Sequence, residues 1–112
     1  MRVSTNAFLD YVLEQLEVVG HISVRAMFGG HGIYYKGVII ALIAYDELYF
    51  KVDESNIQRF KDAGSKPFTY LGKQDKTITV SYWLLPEDVL EDDEQLADWV
   101  QASYRVSKES KA

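Results

Sequence analysis

The first amphipathic segment of the chain predicts a helix. From Thr5 to Val19, apolar residues recur at helical spacing and form one stripe: Phe8, Leu9, Val12, Leu13 and Leu16. The hydroxyl of Ser4 or Thr5 can cap the start of this helix. Gly20 can end it, because glycine adopts the left-handed conformation without steric cost. We therefore expect an N-terminal helix whose stripe packs against the rest of the domain.

The middle of the chain alternates between apolar and polar positions, which is typical of strands. The predicted strands are Ile22–Ala26, Ile33–Lys36, Val38–Tyr45, Leu48–Val52, Pro67–Leu71 and Thr77–Leu84. Val38–Tyr45 is apolar at both alternating sets of positions, which predicts a central strand covered on both faces. In the last strand, Tyr82 alternates with the apolar positions expected to face the core, and Trp83 falls on the opposite face. Short connections between the strands favour antiparallel pairing.

Three further helices are predicted. One starts at Asp53 as its cap and ends at Gly64, and a short one has Pro86 in its first turn. The last follows Asp92 or Asp93 and has an apolar face of Leu96, Trp99, Val100, Ser103 and Tyr104. Together these elements predict an α+β fold, an antiparallel sheet of about five to six strands with helices packed against it. We expect residues 1–106 to form a single domain and residues 107–112, which lack an apolar anchor, to form a disordered tail.

Charge narrows the function classes. The 112 residues include 12 Lys and Arg and 17 Asp and Glu, a formal net charge of −5, which argues against direct DNA binding. Residues 51–76 are mildly basic, and direct DNA binding through this segment is the least favoured alternative. The chain has no cysteine and no apolar run of membrane-spanning length, and its start fits neither a secretory signal nor a transit peptide. We expect a cytoplasmic protein without a membrane anchor.

No catalytic, cofactor-binding or metal-binding residues are predicted. His21 and His31 are the only histidines, and a metal site needs three or four converging ligands. Gly29, Gly30 and Gly32 are predicted as a structural turn, because a strand follows them where a phosphate-binding loop would lead into a helix. No serine lies in a known nucleophile motif. Enzyme activity is therefore unsupported, and no cofactor is expected.

The aromatic residues suggest a surface. Tyr34, Tyr49 and Trp83 fall opposite the predicted core face, where they would join Arg25 and Lys51 in an aromatic and basic surface. Such a surface suits protein contacts or base stacking. The alternative is that a helix or a second subunit covers this face. Two copies of the chain could also pair through an exposed strand edge about a twofold axis, so a homodimer is a further alternative.

Four ordered motifs resemble the TfoX/Sxy N-terminal domain family. The segment from Arg25 to Tyr34 is similar to the family signature R-x-M-F-G-G-x-G-[IL]-Y. Ala41–Ala44 followed by Leu48–Asp53 agrees with the family, Ser65–Tyr70 is similar to S-x-P-F-x-Y, and Ser81–Glu87 is similar to S-Y-W-x-x-P-E. The resemblance covers about residues 5 to 105 and implies an α+β fold.

The resemblance also implies a function. The best-known relatives regulate natural competence for DNA uptake in bacteria and act as coactivators with the cyclic-AMP receptor protein. They carry a C-terminal helical domain as well, for which these 112 residues leave no room. We therefore expect a non-enzymatic protein-interaction module, a transcriptional coactivator or adapter whose partner is a protein such as a transcription factor. The candidate contact residues are Arg25, Phe28, Tyr34, Lys51 and Trp83. The alternative is a small-ligand-binding or enzymatic domain with a pocket near the Met27–Gly32 turn and Tyr70.

Overall fold

The computed structural model describes residues 7–27, 30–71 and 77–109, with the backbone alone at residues 70, 71 and 77–80. The helices are α1 Ala7–Leu16, α2 Ile57–Asp62, α3 Glu87–Leu90 and α4 Asp93–Glu109. The strands are β1 Ile22–Met27, β2 Gly30–Tyr35, β3 Val38–Ala44, β4 Glu47–Lys51, β5 Pro67–Leu71 and β6 Thr77–Leu84. No helix in the described ranges is long and apolar enough to cross a membrane.

Within the described residues, six strands form one antiparallel sheet in the order β1-β2-β3-β4-β6-β5. Strands β1 and β5 are therefore its two edges. The helices pack against the sheet, so the predicted α+β fold is confirmed. Positive φ angles at Gly20 (76°), Gly37 (81°) and Gly64 (75°) close the turns after α1, β2 and α2. These are backbone conformations that glycine adopts without the steric penalty of a Cβ atom.

The four helices of the described part of the chain bury their apolar residues on one face of the sheet. The core cluster contains Val12 and Leu16 of α1, Phe60 of α2, Leu90 of α3 and Leu96 of α4, among others. The paired strand residues in the same cluster share one face of the sheet and are Ile33, Tyr35, Ala41, Ile43, Leu48 and Phe50. We call this side the helix face and the opposite side the open face. The two faces are not equivalent, although the strands are apolar on both.

Hydrogen bonds fasten α4 to the sheet. The hydroxyl of Ser103 donates to the carbonyl oxygen of Lys51 at 2.8 Å, and the amide of Gln101 donates to the hydroxyl of Tyr35 at 3.0 Å. The hydroxyl of Ser107 donates to the carbonyl oxygen of Ile39. Ser107 is buried and α4 continues to Glu109, so the domain boundary expected at residue 106 falls inside a helix. The hydrophobic pattern does not predict this extension of α4, because the residue that anchors it to the sheet, Ser107, is polar. Residues 110–112 lie outside the described residues.

The second helix starts later than expected. Its first residue is Ile57, after Asn56, whereas the sequence predicts a start at Asp53. The carboxylate of Asp53 accepts hydrogen bonds from the backbone N–H and hydroxyl of Ser55 and so forms a turn before the helix. Buried Asn56 donates from its amide to the carbonyl oxygen of Lys51 at 3.1 Å. This amide joins the turn to the end of β4.

Candidate interaction surface

Strand register assigns each candidate residue to a face of the sheet. Directly paired residues of antiparallel strands project to the same face. Phe50 pairs with Trp83, and Lys51 pairs with Tyr82. Since Phe50 lies in the core cluster, Trp83 lies on the helix face and packs against that cluster, while Tyr82 lies on the open face. The sequence prediction for these two residues was therefore wrong, and Trp83 is not part of the open face.

Two cation–aromatic pairs lie on the open face. The guanidinium carbon of Arg25 lies 5.4 Å from the ring centroid of Tyr34, and the ammonium nitrogen of Lys51 lies 5.0 Å from that of Tyr82. Arg25 is exposed, and the other three side chains are half-buried. A cation held over a ring keeps its charge while the two apolar surfaces cover each other. The open face therefore presents positive charge and aromatic area together.

Tyr49 also lies on the open face, but it is not available to a partner. It is 4% exposed, although it is not a member of the core cluster. Its ring packs edge-on against Phe68 with centroids 4.9 Å apart, and its hydroxyl donates to Glu47 Oε1 at 2.8 Å. Burial, followed by the hydrogen bond to Glu47, raises the pKa of Tyr49 to about 12. The expectation that Tyr49 belongs to an exposed aromatic surface is therefore wrong.

The electrostatics of Tyr82 also reflect its place in the sheet. Its pKa is raised from 10.0, chiefly because burial disfavours the phenolate, and secondly because a phenolate would repel that of nearby Tyr34. The Tyr82 ring is therefore neutral at physiological pH and does not cancel the positive charge of Lys51.

The glycines of the first motif do not act as expected. Gly30 and Gly32 lie in β2 and have no positive φ, so they are strand residues and not part of a turn. A Cβ atom on Gly32 would come within 2.7 Å of the sulfur of Met27, and one on Gly30 would collide with the carbonyl oxygen of Ile43. Close packing against the backbone requires glycine at position 30, whereas a Cβ atom at position 32 would require the flexible Met27 side chain to shift. Phe28 and Gly29 lie outside the described residues.

No metal-ligand cluster emerges from the side chains described. No group of three or more His, Asp and Glu residues among them is placed to hold a metal ion. His21 is exposed, whereas His31 is half-buried with its Nδ1 enclosed.

A cleft of about 480 Å³ lies on the helix face, between α2 and strands β5 and β6. It is lined by Val52, Asp53, Glu54, Ile57, Lys61, Pro67, Ser81 and Trp83. Its floor is apolar, and its rim carries charges of both signs. This cleft is separate from the Met27–Gly32 segment, where the sequence places the alternative pocket. Tyr70, which the sequence assigns to that pocket, is described only in its backbone.

Sequence reasoning missed Tyr82 because both faces of β6 carry large apolar side chains. Alternation fixes which residues share a face, but not which face meets the helices. The signal that decides it is the pairing with β4, where Phe50 is fully buried and Lys51 is not. Cross-strand register is a property of the fold and is only weakly encoded in the local pattern.

Comparison with known families identifies the domain. Residues 14–107 match the family described as TfoX N-terminal domain, which is most of the 112-residue chain. A comparison with curated proteins found no match. The family match agrees with the four motifs and with the α+β architecture. The chain therefore belongs to the TfoX N-terminal domain family.

Proposed function

We propose that this domain is a non-enzymatic protein-interaction module that contacts its partner through the open face. The observation that carries the proposal is the pair of cation–aromatic contacts, Arg25 on Tyr34 and Lys51 on Tyr82. Aromatic and arginine side chains are enriched at protein interfaces and supply much of their binding energy. Phe28 is also a proposed contact, on the basis of its place in the first motif.

The partner that fits this surface is a protein. Aromatic rings and two cations complement a patch that combines acidic and apolar side chains. Family membership supports a role in transcriptional regulation, as a coactivator or adapter for a transcription factor in the bacterial cytoplasm, related to competence. Direct DNA binding has less support, because the chain carries a net charge of −5.

Copurification with matched baits tests the proposal. The open-face bait carries Tyr34→Ala and Tyr82→Ala. The control bait carries Tyr11→Ala and Tyr45→Ala, which truncate two exposed tyrosines of α1 and the β3–β4 turn. We expect wild type and control to recover the same protein partner, and the open-face bait to recover about tenfold less or lower still.

A second double variant tests the same face if the first one does not fold. If circular dichroism shows that the open-face bait is unfolded, Arg25→Glu with Lys51→Glu reverses the charge of the same face without truncating a ring. Recovery of the partner by this variant at the wild-type level would contradict the proposal. Loss of recovery by the Tyr11 and Tyr45 control alone would move the contact to another surface.

The cleft on the helix face favours a second candidate function, binding of a small ligand. Its apolar floor and mixed charged rim suit a small molecule with one aromatic or aliphatic group and a charged end. A thermal-shift screen against metabolites and nucleotides tests this, because a ligand that binds the native state raises its apparent stability. Binding that Lys61→Ala weakens would favour the cleft, and the absence of any shift at millimolar ligand would contradict it.

A further inference from the structure

The two edges of the sheet differ in how they are protected from pairing with another strand. Edge strand β5 starts at Pro67. The carbonyl of the preceding Lys66 accepts from the N–H of Leu84 at 2.9 Å, so the proline nitrogen, which carries no hydrogen, faces away from β6. The pairing of β5 is also irregular between Pro67 and Thr69. Proline and bulges are devices that block the addition of strands at an edge.

Edge strand β1 has neither device. Its six residues, ISVRAM, contain no proline and pair with β2 in an unbroken register from Ile22 with Tyr35 to Met27 with Gly30. Its one charged residue, Arg25, lies over the ring of Tyr34 in the neighbouring strand. The charge is therefore directed back over the sheet and does not guard the edge.

The backbone groups that β1 presents outward follow from one hydrogen bond. The N–H of Lys36 donates to the carbonyl oxygen of His21 at 3.0 Å, so the carbonyl of His21 points toward β2. In a trans peptide bond, the C=O of one residue and the N–H of the next point in opposite directions, so the N–H of Ile22 points away from β2. Along an extended strand, the N–H and C=O groups of successive residues point alternately away from β2 and toward it. Ile22, Val24 and Ala26 therefore direct their N–H and C=O groups outward, whereas Ser23, Arg25 and Met27 direct theirs toward β2.

These outward groups are self-complementary about a twofold axis at Val24. Antiparallel pairing of two β1 strands there sets Val24 opposite Val24 of the second copy and Ile22 opposite Ala26 of the second copy. Each strand contributes three donors and three acceptors, so the pairing can form as many as six backbone hydrogen bonds. On the helix face, the meeting side chains are apolar and include Ile22 and Val24, both half-buried.

The open face is compatible with the same register. Ser23 comes directly opposite Arg25 of the second copy, so the two Arg25 residues are diagonal neighbours and not directly opposed. The exposed hydroxyl of Ser23 and the exposed guanidinium are both able to hydrogen-bond there. A register centred on Arg25 would place the two guanidinium groups opposite each other and use backbone groups already bonded to β2. The observations therefore favour the register centred on Val24.

We propose that a second copy of this chain pairs with β1, joining the two sheets antiparallel about a twofold axis at Val24. The interface goes beyond the proposed partner contact and does not depend on it. It makes the two open faces continuous, with both Arg25–Tyr34 pairs close to the axis. Because one pair of strands buries little area, the dimer forms at high protein concentration and dissociates on dilution.

Two measurements on the full chain test this dimer. Sedimentation equilibrium is expected to give a mass near 12.8 kDa at low concentration that approaches twice this value as concentration rises. Amide hydrogen exchange followed by NMR is expected to slow with concentration at Ile22, Val24 and Ala26. The amides of Ser23, Arg25 and Met27 are expected to be protected at every concentration, since they are bonded to β2.

A matched pair of variants at Ser23 tests the register. Ser23→Arg places like charges opposite each other twice across the axis, and Ser23→Glu places opposite charges there. We expect the dimer dissociation constant of Ser23→Arg to exceed that of Ser23→Glu by about tenfold, with similar unfolding transitions for both. Ala26→Pro removes an outward donor without removing a bond to β2 and is expected to weaken the dimer as well.

Three results would overturn the proposal. The first is a monomeric mass over the whole range up to millimolar protein. The second is a dimer whose Ile22, Val24 and Ala26 amides still exchange at the dilute rate. The third is equal dissociation constants for Ser23→Arg and Ser23→Glu. Each concerns the chain alone, so none depends on whether the open face binds a partner protein.

Discussion

The two faces of the sheet use the same strands for different purposes. On β4, Phe50 is fully buried on the helix face, and the next residue, Lys51, lies half-buried on the open face over Tyr82. The helix face is closed by side chains from all four helices. On the open face, cations lie over rings. Apolar or aromatic character alone therefore does not identify the core. On the open face, aromatic rings pack against each other or beneath a cation, and the positive charges stay at the surface.

The largest expected effect comes from breaking the helix face. Phe50→Ala removes a fully buried ring beneath α4 and is expected to lower the free energy of unfolding by about 3–5 kcal/mol. Tyr34→Ala on the open face is expected to cost roughly 1 kcal/mol or less, because that ring is only half-buried. Urea denaturation measures both. Equal losses would contradict the distinction between the faces.

A pH titration sharpens the comparison at Tyr49, the buried tyrosine of the open face. Its pKa is about 12 in the folded domain and 10.0 in the unfolded chain, so the folded state holds the proton more tightly. This contribution to stability is complete below pH 10 and is lost as the pH rises from 10 to 12, by roughly 2–3 kcal/mol. Tyr49→Phe is expected to remove this part of the pH dependence. An unchanged slope in the variant would show that Tyr49 titrates normally.

The hydrogen bond between α4 and β4 gives a smaller effect. Ser103 is fully buried, and its hydroxyl donates to the carbonyl oxygen of Lys51. Ser103→Ala removes one of the two side-chain donors to that carbonyl, which keeps its hydrogen bond from the amide of Asn56, and is expected to cost about 1 kcal/mol in urea denaturation. Ser81→Ala, at an exposed serine of β6, is the control and is expected to change stability by less than about 0.5 kcal/mol. A larger loss of stability for Ser81→Ala than for Ser103→Ala would contradict the claim that the Ser103 hydrogen bond stabilises the fold.

The smallest effect is expected at the surface of the helix layer. Arg59 of α2 contacts Asp98 of α4 at 3.2 Å, and the side chains are 32% and 67% exposed, respectively. Asp98→Asn is expected to change stability by less than about 1 kcal/mol, and less still at high salt, because water and ions screen exposed charges. A salt-independent loss of several kcal/mol would show that this contact is buried in solution.

Much of the fold could be predicted from local pattern. The strands Pro67–Leu71 and Thr77–Leu84 have the predicted bounds, and Asp92 accepts from the N–H groups of Glu94 and Gln95, as expected of a residue that caps α4. These features depend on neighbours in sequence. The end of α4 could not be predicted, because the partner of Ser107 is the backbone of β3, 68 residues away.

The candidate surface was predicted only in part. Arg25, Tyr34 and Lys51 were placed together on one face correctly, because alternation along a strand is local. Trp83 was placed on the wrong face, since only the register between β4 and β6 decides which side of β6 meets the helices. The burial of Tyr49 depends on Phe68, which lies in a different strand. Contacts between strands distant in sequence therefore set the limits of the prediction.

The central claim, that the open face is the contact surface, is tested most directly by one binding isotherm. The protein partner recovered by the wild-type bait is titrated with wild type and with the Tyr34→Ala, Tyr82→Ala double variant. We predict a dissociation constant about tenfold higher or more for the folded double variant. Equal dissociation constants for the two proteins would contradict the account.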